Sequence, residues 1–230
     1  MARKRSKRYQ EARKKLPPTG SRLSVEEAVK VLKDLPAAKF DETVVVSLKL
    51  GIDPKKADQI VRGSFSLPHG LGKEKRVIAF AEGEDAEGAR TAGAVEVGTE
   101  DLAKKIQDGW LDFDVAIAHP RTMRFVGRLG RILGPQGKMP SPKSGTVTED
   151  VALAVSEFKG GKIEYRNDSA GNVHAPVGKK SFANDLLADN ATAFIEHIRS
   201  VRPSSAKGTY LRNAAIACSM SPSVTLSVST

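Results

Sequence analysis

A glycine-rich basic stretch between residues 127 and 148 carries the residue types of a phosphate-binding loop. It reads GRLGRILGPQGKMPSPKSGTVT and spaces five glycines and three prolines among arginines and lysines, without one acidic residue. Glycines let backbone amides approach an anion closely, because no side chain stands in the way. The stretch therefore predicts contact with phosphate, either that of a nucleotide or that of a nucleic-acid strand.

The glycine spacing does not match the loops that bind nucleotides. A Walker loop needs Gly, four residues and then Gly-Lys-Ser/Thr, whereas around Gly137 and Lys138 the first position is Ile132 and the last is Met139. A dinucleotide fingerprint directly follows the first strand of its unit. Here the first strand, 76–80, is followed by AEGEDAEGA, whose acids would repel a pyrophosphate. We expect no cofactor, no small-molecule substrate and no enzymatic activity.

A second interpretation uses the motif GRLG at 127–130, which is similar to the Gly-x-x-Gly of modules that clamp a nucleic-acid backbone. That motif is short enough to occur by chance, and the apolar residues around it favour both glycines as close-packing positions in a helix. That helix, predicted from about 120 to 133, carries arginines three and four residues apart and hence largely on one face. With two lysines of the following loop they form a candidate RNA-facing surface: Arg121, Arg124, Arg128, Arg131, Lys138 and Lys143.

The distribution of charge also favours a polyanionic partner. The 230 residues carry a formal net charge of +10, and residues 121–143 hold six Lys/Arg and no acid. Residues 1–15 hold eight Lys/Arg against one Glu, whereas residues 76–120 hold ten Asp/Glu against four Lys/Arg. Two separate basic segments point to nucleic acid, although the first alone could be a solvated tail. Its candidate basic arm is Arg3, Lys4, Arg5, Lys7 and Arg8.

Several other classes of protein are not expected. Cys218 is the only cysteine, so it cannot form a disulfide within the chain, and it reads as a buried small hydrophobe rather than a nucleophile. Four scattered histidines give no metal-site spacing. The sequence has no apolar run of about 18 residues and no secretory signal. We therefore expect a cytoplasmic protein that does not contact a membrane and whose partner is a structured RNA or a duplex, because few aromatics are present to stack single-stranded bases.

Helix and strand patterns indicate two domains. The middle third alternates strand and helix from RVIAF (76–80) onward, which is typical of a parallel sheet covered by helices. The flanking thirds show α+β patterns, including a capped helix at 24–35 and an apparent hairpin of KIEYRN and VHAPVG around DSAGN. The predicted fold is mixed α/β and α+β. A split α+β, βαβ-like terminal domain (1–67 and 160–230) is interrupted by an inserted Rossmann-like three-layer α/β domain (68–159).

Six phrases of the sequence carry a resemblance to a known family: AKFDETV (38–44), LGIDPKKADQIVRG (50–63), LPHGLGK (67–73), LGPQGKMPSPKSGTVT (133–148), YRND (165–168) and AKGTYL (206–211). In this order and spacing they resemble the bacterial-type large-subunit ribosomal protein one family, whose members belong to the mobile stalk beside the tRNA exit site. The resemblance covers nearly the whole chain.

The resemblance implies a non-catalytic protein that is a monomer within the large ribosomal subunit. Its terminal domain would bind the stalk of large-subunit rRNA, and it would help to move and release deacylated tRNA at the exit site. Some members also repress translation by binding their own operon mRNA, and a free-standing repressor would differ only in which RNA it binds. Carried residue by residue, the rRNA contacts fall on Lys39, Phe40, Thr43, Arg166, Asn167, Ser219 and Met220.

Phe40 could equally belong to the core, because it follows a helix. Glycines on both crossings between the domains would act as hinges: Gly70, Gly72, Gly160 and Gly161. Two positions depart from the family pattern, since Ser221 replaces a glycine and Ile60 stands where asparagine is usual. A side chain at 221 is expected to crowd an approaching RNA or to change the backbone angles.

Overall fold

The computed structural model describes residues 6–18 and 20–227. It divides into a terminal unit, Met1–Gly72 with Tyr165–Thr230, and an inserted unit, Lys73–Glu164. The crossings between the units thus follow residues 72 and 164, later in the chain than the predicted boundaries after 67 and 159.

The helices and strands of the described residues follow the chain in this order. The α-helices are α1 Lys7–Lys15, α2 Val25–Asp34, α3 Glu84–Thr91, α4 Glu100–Gln107, α5 Met123–Gly127, α6 Gly130–Leu133, α7 Val151–Gly160 and α8 Asn184–Ser200. The strands are β1 Thr43–Leu50, β2 Arg62–Ser66, β3 Val77–Phe80, β4 Glu96–Gly98, β5 Val115–Ala118, β6 Lys162–Arg166, β7 Asn172–Lys179, β8 Leu211–Cys218 and β9 Val224–Leu226. Short 3-10 turns occupy Ala57–Gln59, Pro120–Thr122 and Pro142–Ser144.

The terminal unit is built on a four-stranded antiparallel sheet in the order β7-β1-β8-β9. Along β1 every second residue is buried, because successive side chains of a strand point to opposite faces. Helices α2 and α8 contact the sheet and each other and cover the buried face. The predicted helix at 24–35 is confirmed as α2, with the capping box formed between Ser24 and Glu27.

The predicted hairpin of KIEYRN and VHAPVG is wrong. β6 pairs with β2 and β7 pairs with β1, so a single bridge, Asn167 with Val173, joins the ends of the loop. β7 and β1 are each eight residues long, whereas β6 has five, so their pairing satisfies more backbone groups. Asp168 closes the turn, since its Oδ1 accepts the amides of Ala170 at 2.9 Å and Asn172 at 2.7 Å.

The inserted unit is a three-layer α/β structure, as predicted. Its parallel sheet has the order β4-β3-β5. Side chains of α3 and α7, such as Ala89 and Val155, pack with Ala79 on one face. On the other face Leu102 of α4 and Leu129 pack with Phe80. Mixed α/β and α+β architecture is therefore confirmed.

The chain path differs from the prediction at three elements. The helix predicted from 120 to 133 is a 3-10 turn followed by the separate helices α5 and α6. Neither α1 nor β9 was predicted as an element, although Ser6 caps α1 by accepting the amide of Tyr9. No helix in residues 6–18 and 20–227 is long and apolar enough to cross a membrane.

Candidate RNA interface

The predicted rRNA contacts form two groups at opposite ends of β1. Thr43 begins this strand and pairs with Lys179, whereas Asn167 bridges Val173, the partner of Leu48 near the other end. A rise of about 3.3 Å per residue separates the ends of the eight-residue strand by roughly 23 Å. We call them the Thr43 end and the Leu50 end. Lys39, Phe40, Thr43, Ser219 and Met220 lie at the first, and Arg166 and Asn167 at the second.

Hydrogen bonds fix the polar groups of the Thr43 end. The Thr43 amide donates to the Ser219 hydroxyl at 3.2 Å, and the Ser219 amide donates to the Thr43 carbonyl at 3.0 Å. The Lys179 ammonium donates to the Thr43 hydroxyl at 2.8 Å. That hydroxyl therefore keeps its own hydrogen for an RNA 2′-hydroxyl or phosphate oxygen.

Two large apolar side chains at the same end face solvent. Phe40 is 56% exposed and Met220 is 52% exposed. The alternative that Phe40 belongs to the core is therefore wrong. Lys39 beside it is also exposed, and its ammonium has no ion pair within the described residues. Exposed apolar groups next to a free cation suit the sugars, bases and phosphates of RNA.

The residue that joins these loops, Glu42, was not singled out from the sequence. Its side chain is buried, with 1% of its surface exposed. One carboxylate oxygen accepts the Ala38 amide and the other accepts the Met220 amide, each at 2.8 Å. The signal was present, because Glu42 continues the buried alternation of Val44 and Val46 by one further step toward the N-terminus.

At the Leu50 end, Arg166 and Asn167 differ in orientation. Arg166 is exposed and has no ion pair within the described residues, so it remains available to phosphate. Asn167 is buried, and its side chain accepts the Val61 amide at 2.9 Å and donates to the Asp168 carbonyl at 3.0 Å. Its amide thus holds the backbone, because a buried side-chain amide must be hydrogen-bonded. Backbone and side-chain hydrogen bonds from Asn172 lower the pKa of Asp168, which favours the ionised carboxylate that closes this turn.

Between the two ends lies the face of the sheet opposite α2 and α8. We call it the open sheet face, because its side chains are half-buried or exposed. The strand register aligns Ser47 with His174 on one side and Ala215 on the other, and the Ser47 hydroxyl lies 2.9 Å from His174 Nδ1. The face comprises Thr43, Val45, Ser47, Lys49, Asn172, His174, Pro176, Asn213, Ala215, Ala217 and Thr225.

The two departures from the family pattern have different structural consequences. The Ser221 hydroxyl turns inward and accepts the Cys218 amide at 2.9 Å, with no positive φ at this residue. It closes the turn and does not strain the backbone. Ile60 is 38% exposed and adds apolar surface to the loop before β2.

Cys218 itself behaves as the sequence indicated. It is buried, and burial raises the pKa of its thiol, so the unreactive protonated form is favoured. The described residues contain no group of three or more His, Cys, Asp or Glu placed to hold a metal ion.

The inserted unit presents a second basic surface. Four arginines are exposed around α5 and α6, and Lys143 is exposed on the loop that follows: Arg121, Arg124, Arg128, Arg131 and Lys143. We call this set the arginine surface. Within the described residues none of the five forms an ion pair, and Arg124 lies over the ring of Phe125 at 4.6 Å. On the opposite side of these helices, the buried side chains of Val126, Leu129 and Leu133 pack into the core of the inserted unit.

Two details of this surface correct the sequence interpretation. Lys138 points inward, because its ammonium donates to the Leu111 carbonyl at 3.1 Å and lies 4.9 Å from the Phe113 ring. It is therefore not part of the arginine surface. A β-carbon on Gly127 or Gly130 would meet no atom within 4 Å, so these glycines are not close-packing positions. Gly130 lies instead at the start of α6, just after the break that follows α5.

The four candidate hinge glycines lie within the units. The backbone at His69 and Gly70 is bound by the buried side chain of Asn190, at 3.1 and 3.0 Å respectively. A β-carbon on Gly72 would lie 2.4 Å from the Phe182 ring. Gly160 ends α7, and Gly161 caps this helix with a φ of 115°. These contacts explain why both boundaries come later than predicted.

The predicted basic arm falls partly outside the described residues, which exclude Arg3, Lys4 and Arg5. Lys7 and Arg8 belong to the first turn of α1. The last turn of this helix is also basic, and the Lys15 ammonium donates to the Asp34 carbonyl at 3.3 Å.

Comparison with known proteins adds an independent result. Residues 32–222 match the model of the ribosomal protein L1p/L10e family. The chain is 52% identical over 223 residues to the large ribosomal subunit protein uL1 of Kosmotoga olearia, covering 97% of this chain and 96% of that protein. It is 51% identical over 230 residues to uL1 of Limosilactobacillus reuteri subsp. reuteri, covering both chains completely.

Proposed function

The chain belongs to the ribosomal protein L1p/L10e family, and we propose that its terminal unit holds the stalk of large-subunit rRNA across the open sheet face. Proteins of this family are structural, rRNA-binding components of the large subunit of the cytoplasmic ribosome. This chain is one of them and not an enzyme, as the sequence predicted. The proposal concerns the surface that it uses, the RNA element that it binds and its further partners.

The observation that carries the proposal is the exposure of Phe40 and Met220 on loops that are tied to the sheet. Large apolar side chains are normally buried, so their exposure on fixed loops marks a contact surface. Thr43 and Ser219, already fixed by their mutual hydrogen bonds, add hydroxyls that can bond 2′-hydroxyls. We assign sugar and base contacts to this end of β1.

The Leu50 end supplies phosphate contacts in the same proposal. Arg166 is exposed there and has no ion pair in the described residues, and a guanidinium can bond two phosphate oxygens at once. Asn167 supports this end by holding Val61 rather than by touching RNA. The two ends of the eight-residue β1 are about 23 Å apart, a length that suits a folded RNA that lies along the strand.

Binding to a stalk-rRNA fragment and to a scrambled duplex, each across a salt series, tests the proposal. Both complexes weaken as salt releases counterions, by about 0.7–0.9 log units per decade of salt for each neutralised phosphate. We expect the stalk fragment to stay bound at salt that strips the duplex. If salt weakened both complexes equally, the protein would bind the stalk fragment only by non-specific attraction to its charge, and the assignment would be overturned.

We propose that the inserted unit contacts exit-site tRNA through the arginine surface and moves with it. The five cations of this surface support the proposal, because they form no ion pair in the described residues. Substituting the four arginines by glutamine should slow release of deacylated tRNA from ribosomes carrying the variant. Release at the normal rate would remove this part of the proposal.

The contacts around the crossings indicate where motion would start. On the terminal side, Asn190 holds Gly70 and His197 shares a 2.8 Å hydrogen bond with Tyr165. Both side chains come from α8 and are seven residues apart, hence on one face of the helix. On the inserted side, the Lys75 ammonium donates to the Lys162 carbonyl at 2.7 Å. We therefore place the pivots at the crossings that follow residues 72 and 164 instead of at the glycines.

Fluorescence energy transfer between one dye on each unit tests these pivots. We expect a broad distance distribution that narrows when the chain enters the ribosome. A single fixed distance in the free protein would contradict a hinge.

We further propose that the chain, acting as a monomer, binds its own operon mRNA with the same open sheet face. The support is that contacts with 2′-hydroxyls, sugars and bases depend on the shape of an RNA, so an mRNA with the shape of the rRNA site can bind the same face. Competition between stalk rRNA and the messenger leader for the purified protein tests this. If the two RNAs bind at once, they use different surfaces and this proposal fails.

A further inference from the structure

Glu42 is an acid in a position normally taken by an apolar residue. It is 1% exposed and lies on the same side of the chain as buried Val44 and Val46. No lysine, arginine or histidine nitrogen lies within 4 Å of its carboxylate in the described residues. The nearby Lys180 uses its ammonium on the Leu35 carbonyl at 2.8 Å. A buried charge of this kind is costly unless hydrogen bonds satisfy it.

Two backbone amides supply those hydrogen bonds, and they come from separate loops. Ala38 N–H donates to Oε1 and Met220 N–H donates to Oε2, both at 2.8 Å. The two loops are far apart in sequence and meet only through the fold. The Glu42 carbonyl also accepts the Lys180 amide at 2.8 Å, so the backbone of the residue is fixed at the sheet.

The two hydrogen bonds, from the Ala38 and Met220 amides, require a carboxylate. Both partners are donors, so both side-chain oxygens must accept. A glutamine of the same shape offers one acceptor oxygen and one amide NH2 donor, and this NH2 would face one of the two backbone N–H groups. One of the two loops must therefore lose its anchor in such a variant.

We propose that Glu42 is a positioning residue that holds the Lys39–Phe40 loop and the Ser219–Met220 loop in one arrangement for RNA. This inference rests on the proposed rRNA function of the open sheet face. In this arrangement Phe40 and Met220 are presented to sugar or base, and Lys39 is presented to phosphate.

Substitution E42Q in the full chain tests the proposal, with V46A as a matched control. Val46 is buried in β1, the strand that directly follows Glu42, so V46A destabilises the same sheet by a cavity and removes no hydrogen bond to either loop. We expect E42Q to weaken stalk-rRNA binding about tenfold or more at temperatures where the protein stays folded, with the salt slope unchanged. V46A should bind as tightly as the unsubstituted chain under the same conditions.

Two further readouts separate positioning from loss of stability. In the F40A/M220A variant, E42Q should have little further effect on RNA affinity, because the two side chains that Glu42 positions are already absent. In the free protein, amide hydrogen exchange should lose protection at Ala38, at Met220 or at both in E42Q, and at neither in V46A. The exchange result does not depend on RNA, so it tests positioning even if the stalk fragment proves to bind elsewhere. Unchanged exchange at both amides, or equal RNA losses in E42Q and V46A, would overturn the role of Glu42.

Discussion

The open sheet face of the terminal unit and the arginine surface of the inserted unit both suit RNA, but their side chains are held differently. Around Thr43 the polar groups are bonded to one another, and even the loops are fixed by Glu42. The arginines of the inserted unit extend into solvent without ion pairs in the described residues, and the helix pair beneath them supplies only an apolar anchor.

This difference separates recognition from attraction. Hydroxyl and apolar groups in fixed positions bind well only to an RNA whose shape matches them, whereas long, solvent-exposed cations bind any phosphate backbone. We therefore expect the terminal unit to provide specificity and the inserted unit to provide salt-sensitive affinity. The following predictions test that division, from the largest effect to the smallest.

Removal of both exposed apolar groups, F40A with M220A, should cost the most specificity. Stacking of a base on an aromatic ring such as that of Phe40 is worth about 1–3 kcal/mol, and Met220 adds apolar contact, so stalk binding should fall by about a hundredfold. Binding of a scrambled duplex should be unchanged, as measured by fluorescence anisotropy at fixed salt. L153A is the matched control, because Leu153 is 57% exposed in the inserted unit. If the variant lost the same affinity for the stalk RNA and for the duplex, the open sheet face would not be the source of specificity.

Neutralisation of the arginine surface should act on affinity and not on specificity. With glutamine at 121, 124, 128 and 131, stalk RNA and duplex should weaken together. The salt slope should become shallower by about 0.7–0.9 for each phosphate that the variant no longer neutralises. R90Q is the control, since Arg90 is exposed in the acidic part of the same unit. A selective loss of stalk binding would place specificity in the inserted unit and reverse the comparison.

Replacement of Ser221 by glycine should lower stability but not improve RNA binding. The Ser221 hydroxyl accepts the buried Cys218 amide, so its loss should cost about 1 kcal/mol of unfolding free energy. Chemical denaturation measures that loss, and S221A separates the hydroxyl from the added flexibility of glycine. A tighter complex in S221G would mean that the side chain does crowd the RNA.

Mild acid should affect the terminal unit through His197. Burial lowers its pKa, and it packs against Phe65 and Tyr165. Because the unfolded chain binds the proton more readily, stability is constant above a pH of about 6.5 and falls as pH drops below it. Thermal unfolding between pH 7.5 and 5.5 should show a slope that H197Q removes. A slope that survives H197Q would assign it to another group.

The architecture was largely predictable because hydrophobic periodicity controls it. Alternation along TVVVSLKL (43–50) is the pattern of a half-buried strand and indicates β1, and near-continuous apolar strands separated by helices predicted the inserted sheet. Strand pairing was not predictable for β6, whose pairing with β2 depends on the crossing between units and not on the adjacent turn.

Two of the errors at the site share one cause. Glu42 and Asn167 each continue the buried alternation of a strand, yet neither is recognised from sequence as a buried side chain that holds backbone. A polar residue in the buried register indicates such a side chain, and this signal can be read from sequence. The inward turn of Lys138 has no such signal, because it depends on a carbonyl 27 residues away.

Amide hydrogen exchange of the full chain, free and bound to stalk rRNA, tests the central claim most directly. We predict the strongest new protection in β1, β8 and the loops that carry Phe40 and Met220, with weaker, salt-sensitive protection around Arg121–Arg131. Strong protection confined to residues 120–134, with an unchanged terminal unit, would contradict the assignment of specificity to the open sheet face.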